Sequence, residues 1–116
     1  MIEKKWTLDV ESNRYDLIPG KFYLIGYVKD VENGENHVDI RLKTQSVDAK
    51  HCILDVSGDA LYIYDLHSKL GTFLNGKRLD SKLKQCITVS TQLRFGEVEG
   101  QIYPKETVKV RLYNYK

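Results

Sequence analysis

Hydrophobic and polar residues alternate over short stretches along most of this chain. Runs of β-branched and aromatic residues, about five to seven long, are separated by turn-forming residues, which is the pattern of β-strands. No window shows the apolar spacing of an amphipathic helix over three turns. The pattern therefore predicts strands within the segments 5–10, 22–28, 37–42, 51–56, 60–66, 72–79, 86–90, 92–96 and 107–115.

Two of the predicted connections are tight hairpins. A Ser-Gly-Asp sequence at 57–59 separates two strand segments, and Asn75-Gly76 stands in the middle of the segment 72–79. Asn-Gly is favoured in two-residue hairpins because both turn positions need a positive φ. About ten short strands joined in this way indicate an all-β sandwich, and we expect one domain over residues 1–116.

The composition narrows the function classes. The net charge of +2 is well short of the basic excess of a dedicated nucleic-acid binder. No nucleophile–base pair, carboxylate pair, metal cluster or P-loop is visible, so we expect no enzyme, no cofactor, no metal and no small-molecule substrate. The absence of a long apolar run or an apolar leader predicts an intracellular protein without membrane contact. Cys52 and Cys86 are expected to be free, buried thiols.

Four short motifs, in the right order and spacing, resemble those of the forkhead-associated (FHA) domain. The longest is DLHSKLGTFLNGKRL at 65–79, and the others are LIG at 24–26, DAKH at 48–51 and LRFGE at 93–97. The resemblance runs from about Tyr15 to Tyr113. It implies an FHA-like β-sandwich of about ten to eleven mostly antiparallel strands, which in most members of the family reads phosphothreonine.

The residues that match the family are mainly those of its scaffold. By resemblance, the ring of His51 would brace the binding loops through hydrogen bonds. Gly71 and Gly76 suit backbone positions with a positive φ. The matching scaffold residues are Gly26, His51, Gly71, Thr72, Asn75 and Gly76.

The positions that would contact a phosphopeptide depart from the family. Tyr27 stands where the family has arginine, and Asp48 where it has the serine that donates to phosphate. The remaining replacements are Ala49, Lys69 and Leu70, beside Ser68. We therefore predict a degenerate site that has lost phosphothreonine binding.

One alternative keeps the phosphopeptide function with a rearranged pocket. Lys50 and Lys69, with the hydroxyls of Ser46 and Ser68, would form an anion site shifted from the usual place. A second alternative is a nucleic-acid binder that uses the basic strip GKRLDSKLK at 76–84, although such runs are usually solvated hairpin faces.

A domain without its phosphate site is expected to bind protein through another surface. The chain resembles FHA domains at the N-terminus of DNA-damage checkpoint mediators, some of which form homodimers. That resemblance implies a scaffold or homodimerisation role in the nucleus, in the DNA-damage response or chromosome maintenance. Tyrosine is enriched at interfaces, and the candidate interface residues are Tyr62, Tyr64, Tyr113 and Tyr115.

Overall fold

The computed structural model describes residues 2–29, 37–57 and 59–108. Eleven strands follow one another along these residues. They are β1 (Ile2–Val10), β2 (Asn13–Leu17), β3 (Phe22–Tyr27), β4 (Ile40–Leu42), β5 (Cys52–Ser57), β6 (Ala60–Asp65), β7 (Thr72–Leu74), β8 (Lys77–Arg78), β9 (Gln85–Ile87), β10 (Thr91–Phe95) and β11 (Val98–Val108).

The strands form two sheets that enclose one core. The first sheet has six strands in the order β2-β1-β11-β10-β7-β8, and the second has five in the order β4-β3-β5-β6-β9. Strands β3 and β4 are parallel, and the other pairings are antiparallel. The predicted fold class, an all-β FHA-like sandwich of mostly antiparallel strands, is confirmed.

The core is built by period-two alternation on the facing sides of the sheets. In β6, Leu61 and Ile63 are fully buried, while Tyr62 and Tyr64 are partly exposed on the opposite face. The six-stranded sheet contributes the largest buried side chains, Trp6 and Phe95. Each sheet therefore presents one apolar face to the other.

Both predicted hairpins are present. Asn75 and Gly76 have φ values of 48° and 84°, as a two-residue turn between β7 and β8 requires. Strands β5 and β6 pair in register from Cys52 opposite Asp65 to Ser57 opposite Ala60. Gly58, in the turn between them, lies outside the described residues.

The predicted strands differ from the structure at several places. Strand β2 was absent from the prediction, because the turn before it contains no glycine. Glu11 and Ser12 adopt positive φ values of 50° and 62° there. Strands β4 and β9 are shorter than expected, since each pairs with its neighbour over only three residues.

The last described strand begins well before the predicted segment 107–115. It starts at Val98, and the prediction omitted its first nine residues, in which Gly100 and Pro104 are unfavourable for a strand. Both are accommodated in β11, where Pro104 pairs with Trp6 of β1. Residues 109–115 of the predicted segment, Tyr113 and Tyr115 among them, lie outside the described residues.

The two cysteines do not share one environment. Cys52 is buried and Cys86 is exposed, so the expectation of two buried thiols was wrong for Cys86. Strand β9 lies at the edge of its sheet, where Cys86 pairs with Tyr62 on the outer face. Both thiols are free, as predicted.

The described part of the chain contains no helix with the length and apolar character needed to cross a membrane.

Candidate functional site

Two loops and the end of β3 meet at one end of the sandwich. The 43–51 loop joins β4 to β5, and the 66–71 loop joins β6 to β7. The Tyr27 N–H donates to the carbonyl of Asp48 at 2.8 Å, so the end of β3 is attached directly to the 43–51 loop. The Gly96 N–H donates to the carbonyl of Gly71 at 2.8 Å, which holds the end of the 66–71 loop against β10.

His51 joins the two loops through both ring nitrogens. Its Nδ1 accepts the N–H of Asp48 at 3.0 Å, and its Nε2 lies 2.9 Å from the carbonyl oxygen of Gly71. A carbonyl can only accept, so Nε2 carries the proton and Nδ1 is unprotonated. The ring is completely buried and meets Phe95 edge to face, with centroids 6.1 Å apart. His51 is therefore a structural brace beneath the site.

Gly26 lets β3 pass directly beneath the 43–51 loop. A Cβ atom at this position would lie 2.0 Å from the carbonyl oxygen of Ala49. No side chain fits at that distance, because contacts below 3.0 Å are essentially never made by real Cβ atoms. The glycine is thus required by close approach of two backbone segments rather than by its own φ.

Asp48 connects the loops on the outer side of the site. Its Oδ2 accepts the backbone N–H of Lys69 at 2.9 Å. Asp48 stands at the position of the phosphate-binding serine in the resemblance, and its side chain is partly exposed. An N–H of the 66–71 loop is therefore already bound to a carboxylate of the chain itself.

The hydroxyl of Ser68 belongs to the interior. Ser68 is 5% exposed, and its Oγ donates to Oδ1 of Asp65 in a short hydrogen bond. The Thr72 hydroxyl donates to the same oxygen at 2.7 Å, and the Ser68 N–H donates to Oδ2 at 3.0 Å. These hydrogen bonds to Asp65 stabilise the base of the 66–71 loop.

The same cluster affects the thiol of Cys52. Burial raises the pKa of this adjacent thiol well above its ordinary value, and the Asp65 carboxylate raises it further.

Two further contacts anchor the 43–51 loop, and neither was predicted. The carboxylate of Glu11 accepts the N–H of Lys43 at 2.9 Å and the hydroxyl of Thr44 at 2.8 Å. The Ser46 hydroxyl accepts the N–H of Glu97 at 3.0 Å. Sequence signals could not indicate these pairs, because Glu11 lies 32 positions before Lys43.

The other predicted site positions are arranged around these contacts. Tyr27 is partly buried and packs against the core. Ala49, Lys50 and Lys69 are exposed, and Leu70 is 44% exposed. The predicted positions around the two loops therefore combine two exposed lysines and one exposed leucine with the carboxylate of Asp48.

Arg78 was assigned to the basic strip, but its side chain lies against the 66–71 loop. Its Nε would be 2.7 Å from a Cβ at Gly71, and its Nη2 is 3.5 Å from the carbonyl oxygen of Lys69. The hairpin register, which places Arg78 opposite Phe73, is the signal that could have indicated this position.

The remaining predicted residues lie away from the loops. Asn75 is at the tip of the β7–β8 hairpin, where its side chain accepts the N–H of Gln92 at 2.9 Å. Tyr62 and Tyr64 lie on the outer face of the five-stranded sheet. No group of three or more potential metal ligands occurs within residues 2–29, 37–57 and 59–108.

Solved structures with the same fold include several FHA domains. The FHA domain of CT664 from Chlamydia trachomatis has a TM-score of 0.73 at 20% identity, over 85% of this chain and 96% of that one. An FHA domain from Arabidopsis thaliana has a TM-score of 0.73 at 20% identity, over 92% and 89%. The FhaA FHA domain, solved in complex with the intracellular domain of Rv3910, has a TM-score of 0.67 at 21% identity, over 84% and 98%.

Sequence comparison identifies the family directly. No curated protein matches the chain. The family model of the FHA domain, however, matches residues 23–96, which is more than half of the chain. The matched segment extends from β3 to the turn after β10 and includes both loops joined by His51. The chain belongs to the FHA domain family.

Proposed function

We propose that this FHA domain binds protein without requiring phosphothreonine. FHA domains are protein-interaction modules rather than enzymes, and this chain keeps their scaffold. The observation that carries the proposal is the hydrogen bond from the Lys69 N–H to the Asp48 carboxylate. The carboxylate of Asp48 thus occupies an N–H donor of the 66–71 loop, at which a phosphate would bind in the family.

The free energies favour loss of phosphate binding. Hydrogen bonds to charged groups contribute about 1.5–3 kcal/mol each, and a micromolar site needs about 8 kcal/mol. Replacement of the arginine by Tyr27 and of the serine by Asp48 removes two such donors. At about 4 Å, two unit charges repel by about 1 kcal/mol in water and about 4 kcal/mol near a protein surface. Because a phosphothreonine carries nearly two charges, Asp48 would oppose its binding strongly.

One hydroxyl of the alternative, rearranged pocket is already engaged as a donor. Ser68 donates to buried Asp65, whereas Ser46 accepts from the Glu97 N–H and keeps its own proton for a ligand. A pocket based on Lys50 and Lys69 would therefore depend on two exposed lysines and one hydroxyl beside a carboxylate. Lysine offers a point charge rather than the planar fork of arginine.

The test is calorimetric titration with a pool of phosphothreonine peptides and the same pool without phosphate. We expect no phosphate-dependent heat from the native chain. The triple substitution Tyr27→Arg, Asp48→Ser and Leu70→Asn restores three of the five replaced family residues and should create phosphate-dependent binding. Asp48→Asn is the matched control, since it removes the charge and restores no family residue.

Phosphate-dependent binding by the native chain would contradict the proposal. Loss of that binding in Lys50→Ala and Lys69→Ala variants would then identify the rearranged pocket.

Self-association is a second candidate function, favoured by the outer face of the five-stranded sheet. Cross-strand neighbours Leu24, Ile53 and Tyr64 form one row there, and Phe22 and Tyr62 flank Asp55 in the next. Phe22 is 63% exposed. We propose that a second copy of the chain covers this face, and light scattering tests it as described in the Discussion.

Nuclear location and a role in the DNA-damage response or chromosome maintenance form part of the same proposal, supported by family resemblance alone. A fluorescent fusion followed before and after DNA damage would test both.

A further inference from the structure

A groove opens on the sandwich edge formed by β8 and β9. It has a volume of about 420 Å³ and is lined by residues of β8, the segment 79–83, β9 and residues 88–91. Strand β8 is the last strand of the six-stranded sheet, and β9 is the last of the five-stranded sheet. The groove thus lies between the edge strands of the two sheets, on one side of the sandwich.

The groove exposes aliphatic side chains to solvent. Leu83 is 61% exposed and Val89 is 65% exposed, which places them among the most exposed large hydrophobic residues of the described chain. Ile87, which also lines the groove, is buried, and Leu79 is partly buried. Covering such side chains removes apolar surface from water and is therefore favourable.

Lysines border this aliphatic surface. Lys77 lines the groove, and Lys82 precedes Leu83 in the chain, whereas Arg78 extends its guanidinium to the 66–71 loop and Lys84 lies over the ring of Tyr62. The lining contains a single carboxylate, Asp80. That carboxylate is engaged locally, because its Oδ1 accepts the N–H of Lys82 at 2.9 Å. The groove therefore presents an apolar centre with a positively charged border.

The backbone of both strands is also open to a partner. Within the described residues, β9 pairs only with β6, and β8 pairs only with β7. An edge strand can receive an extended segment through main-chain hydrogen bonds, with specificity supplied by side chains that fit the adjacent pocket.

We propose that this groove binds an extended, unphosphorylated protein segment in which aliphatic side chains are flanked by aspartate or glutamate. The aliphatic residues would cover Leu83 and Val89, and the carboxylates would face Lys77 and Lys82. No aromatic side chain lines the groove in the described part of the chain, so it lacks a surface on which nucleobases stack. The proposal is independent of the loops around Asp48.

The experiment is a titration of the labelled domain by two-dimensional NMR. The probe is a synthetic peptide of about twelve residues, with leucine alternating with threonine at its centre and aspartates at both ends. We expect amide shifts confined to residues 77–91, and binding that weakens as salt is added. A peptide with asparagine in place of aspartate should bind at least about tenfold more weakly, which corresponds to about 1.4 kcal/mol.

Variants separate the groove from the rest of the surface. Leu83→Ser combined with Val89→Ser should weaken binding at least about tenfold, without unfolding the domain, because both side chains are largely exposed. Ile18→Ser is the matched control: Ile18 is also exposed, at 52%, but it precedes β3 and does not line the groove. Lys77→Glu should weaken the aspartate peptide more than the asparagine peptide.

Three results would overturn the proposal. They are absence of shifts with the aspartate peptide, shifts located on the 43–51 and 66–71 loops, and equal binding by the double variant and the native chain. Tighter binding of an oligothymidine to the same residues would assign the groove to nucleic acid instead. None of these results bears on phosphothreonine, so failure here leaves the proposal for the loops unaffected.

Discussion

At the scale of single residues, one carboxylate determines the chemistry at the end of the sandwich where the 43–51 and 66–71 loops meet. Asp48 binds the Lys69 N–H at 2.9 Å, while its own N–H donates to Nδ1 of His51. The first contact joins the two loops at the surface, and the second connects the 43–51 loop to the buried brace. Asp48 is therefore a structural residue that joins the two loops.

Replacing Asp48 should destabilise the fold more when its acceptor oxygen is removed than when an acceptor oxygen is kept. We expect Asp48→Ala to lower the free energy of unfolding by about 1–2 kcal/mol, because the Lys69 N–H loses a charged acceptor. Asp48→Asn retains an acceptor oxygen and should cost less. Urea unfolding of both variants measures the difference. A loss for Asp48→Ala that is no larger than the loss for Asp48→Asn would contradict a contribution from the acceptor oxygen itself.

The cysteines should differ in reactivity. Exposed Cys86 should react with a thiol reagent in the folded protein, whereas buried Cys52 should react only after unfolding. Quantitative thiol titration with and without denaturant tests this. A Cys86→Ser variant should show no reaction while folded, and a reaction at the native rate of Cys86 would contradict the assignment.

The raised pKa of Cys52 also predicts a dependence of stability on pH. An unfolded thiol ionises with a pKa of about 8.5, whereas the buried thiol stays protonated to higher pH. The stabilisation is complete below the unfolded value. Above it, this group should lower stability by up to about 1.4 kcal/mol per pH unit. Comparing the native chain with Cys52→Ala between about pH 8 and pH 10 isolates the effect, since other groups titrate alike in both.

At the scale of elements, the turn between β1 and β2 positions the 43–51 loop. Glu11 of that turn accepts hydrogen bonds from Lys43 and Thr44. The site loop is thus held from the six-stranded sheet as well as from its own strands. This explains why the 43–51 loop, which has no regular structure, keeps Asp48 and His51 within hydrogen-bonding distance of the 66–71 loop.

Removing this carboxylate should loosen the loop. We expect Glu11→Ala to lower the free energy of unfolding by about 1–2 kcal/mol and to speed hydrogen exchange of the Lys43 N–H. Glu97→Ala is the matched control, because its backbone N–H, rather than its side chain, binds Ser46. That control should stay within about 0.5 kcal/mol of the native chain. A change in exchange that is no larger for Glu11→Ala than for the control would refute this role.

Elements with local signals were predicted well from the sequence. The alternation in β5 and β6 and the Asn75-Gly76 turn depend on residues that are close in the chain. Strand β2 was missed, because positive φ values at Glu11 and Ser12 are unusual for such residues. The early part of β11 was missed because its glycine and proline are tolerated only through pairing with β1, which no local pattern reveals.

At the scale of the whole molecule, three candidate surfaces adjoin one another. The groove shares Cys86 with the outer face of the five-stranded sheet, where Cys86 pairs with Tyr62. Arg78 lines the groove and also lies against the 66–71 loop. A partner bound at one of these surfaces would therefore lie close to the next.

Self-association should be visible as a change of mass with concentration. We expect light scattering to give a dimer at high micromolar concentration. Phe22→Asp should shift the chain to the monomer, because it removes an exposed aromatic side chain and places a second carboxylate beside Asp55. Ile18→Asp, at another exposed hydrophobic position, should leave the dimer intact. A monomeric native chain at high micromolar concentration would exclude this use of the face.

The sequence by itself determined the fold class, the hairpins and the family motifs, because alternation and turn chemistry act over a few neighbouring residues. The tertiary structure decided which groups meet. The pairing of Asp48 with Lys69, the two bonds of His51 and the engagement of the Ser46 and Ser68 hydroxyls join positions brought together by sheet order. The groove likewise exists only because β8 and β9 end adjacent sheets. Local forces select the elements, and long-range packing assembles the surfaces on which function depends.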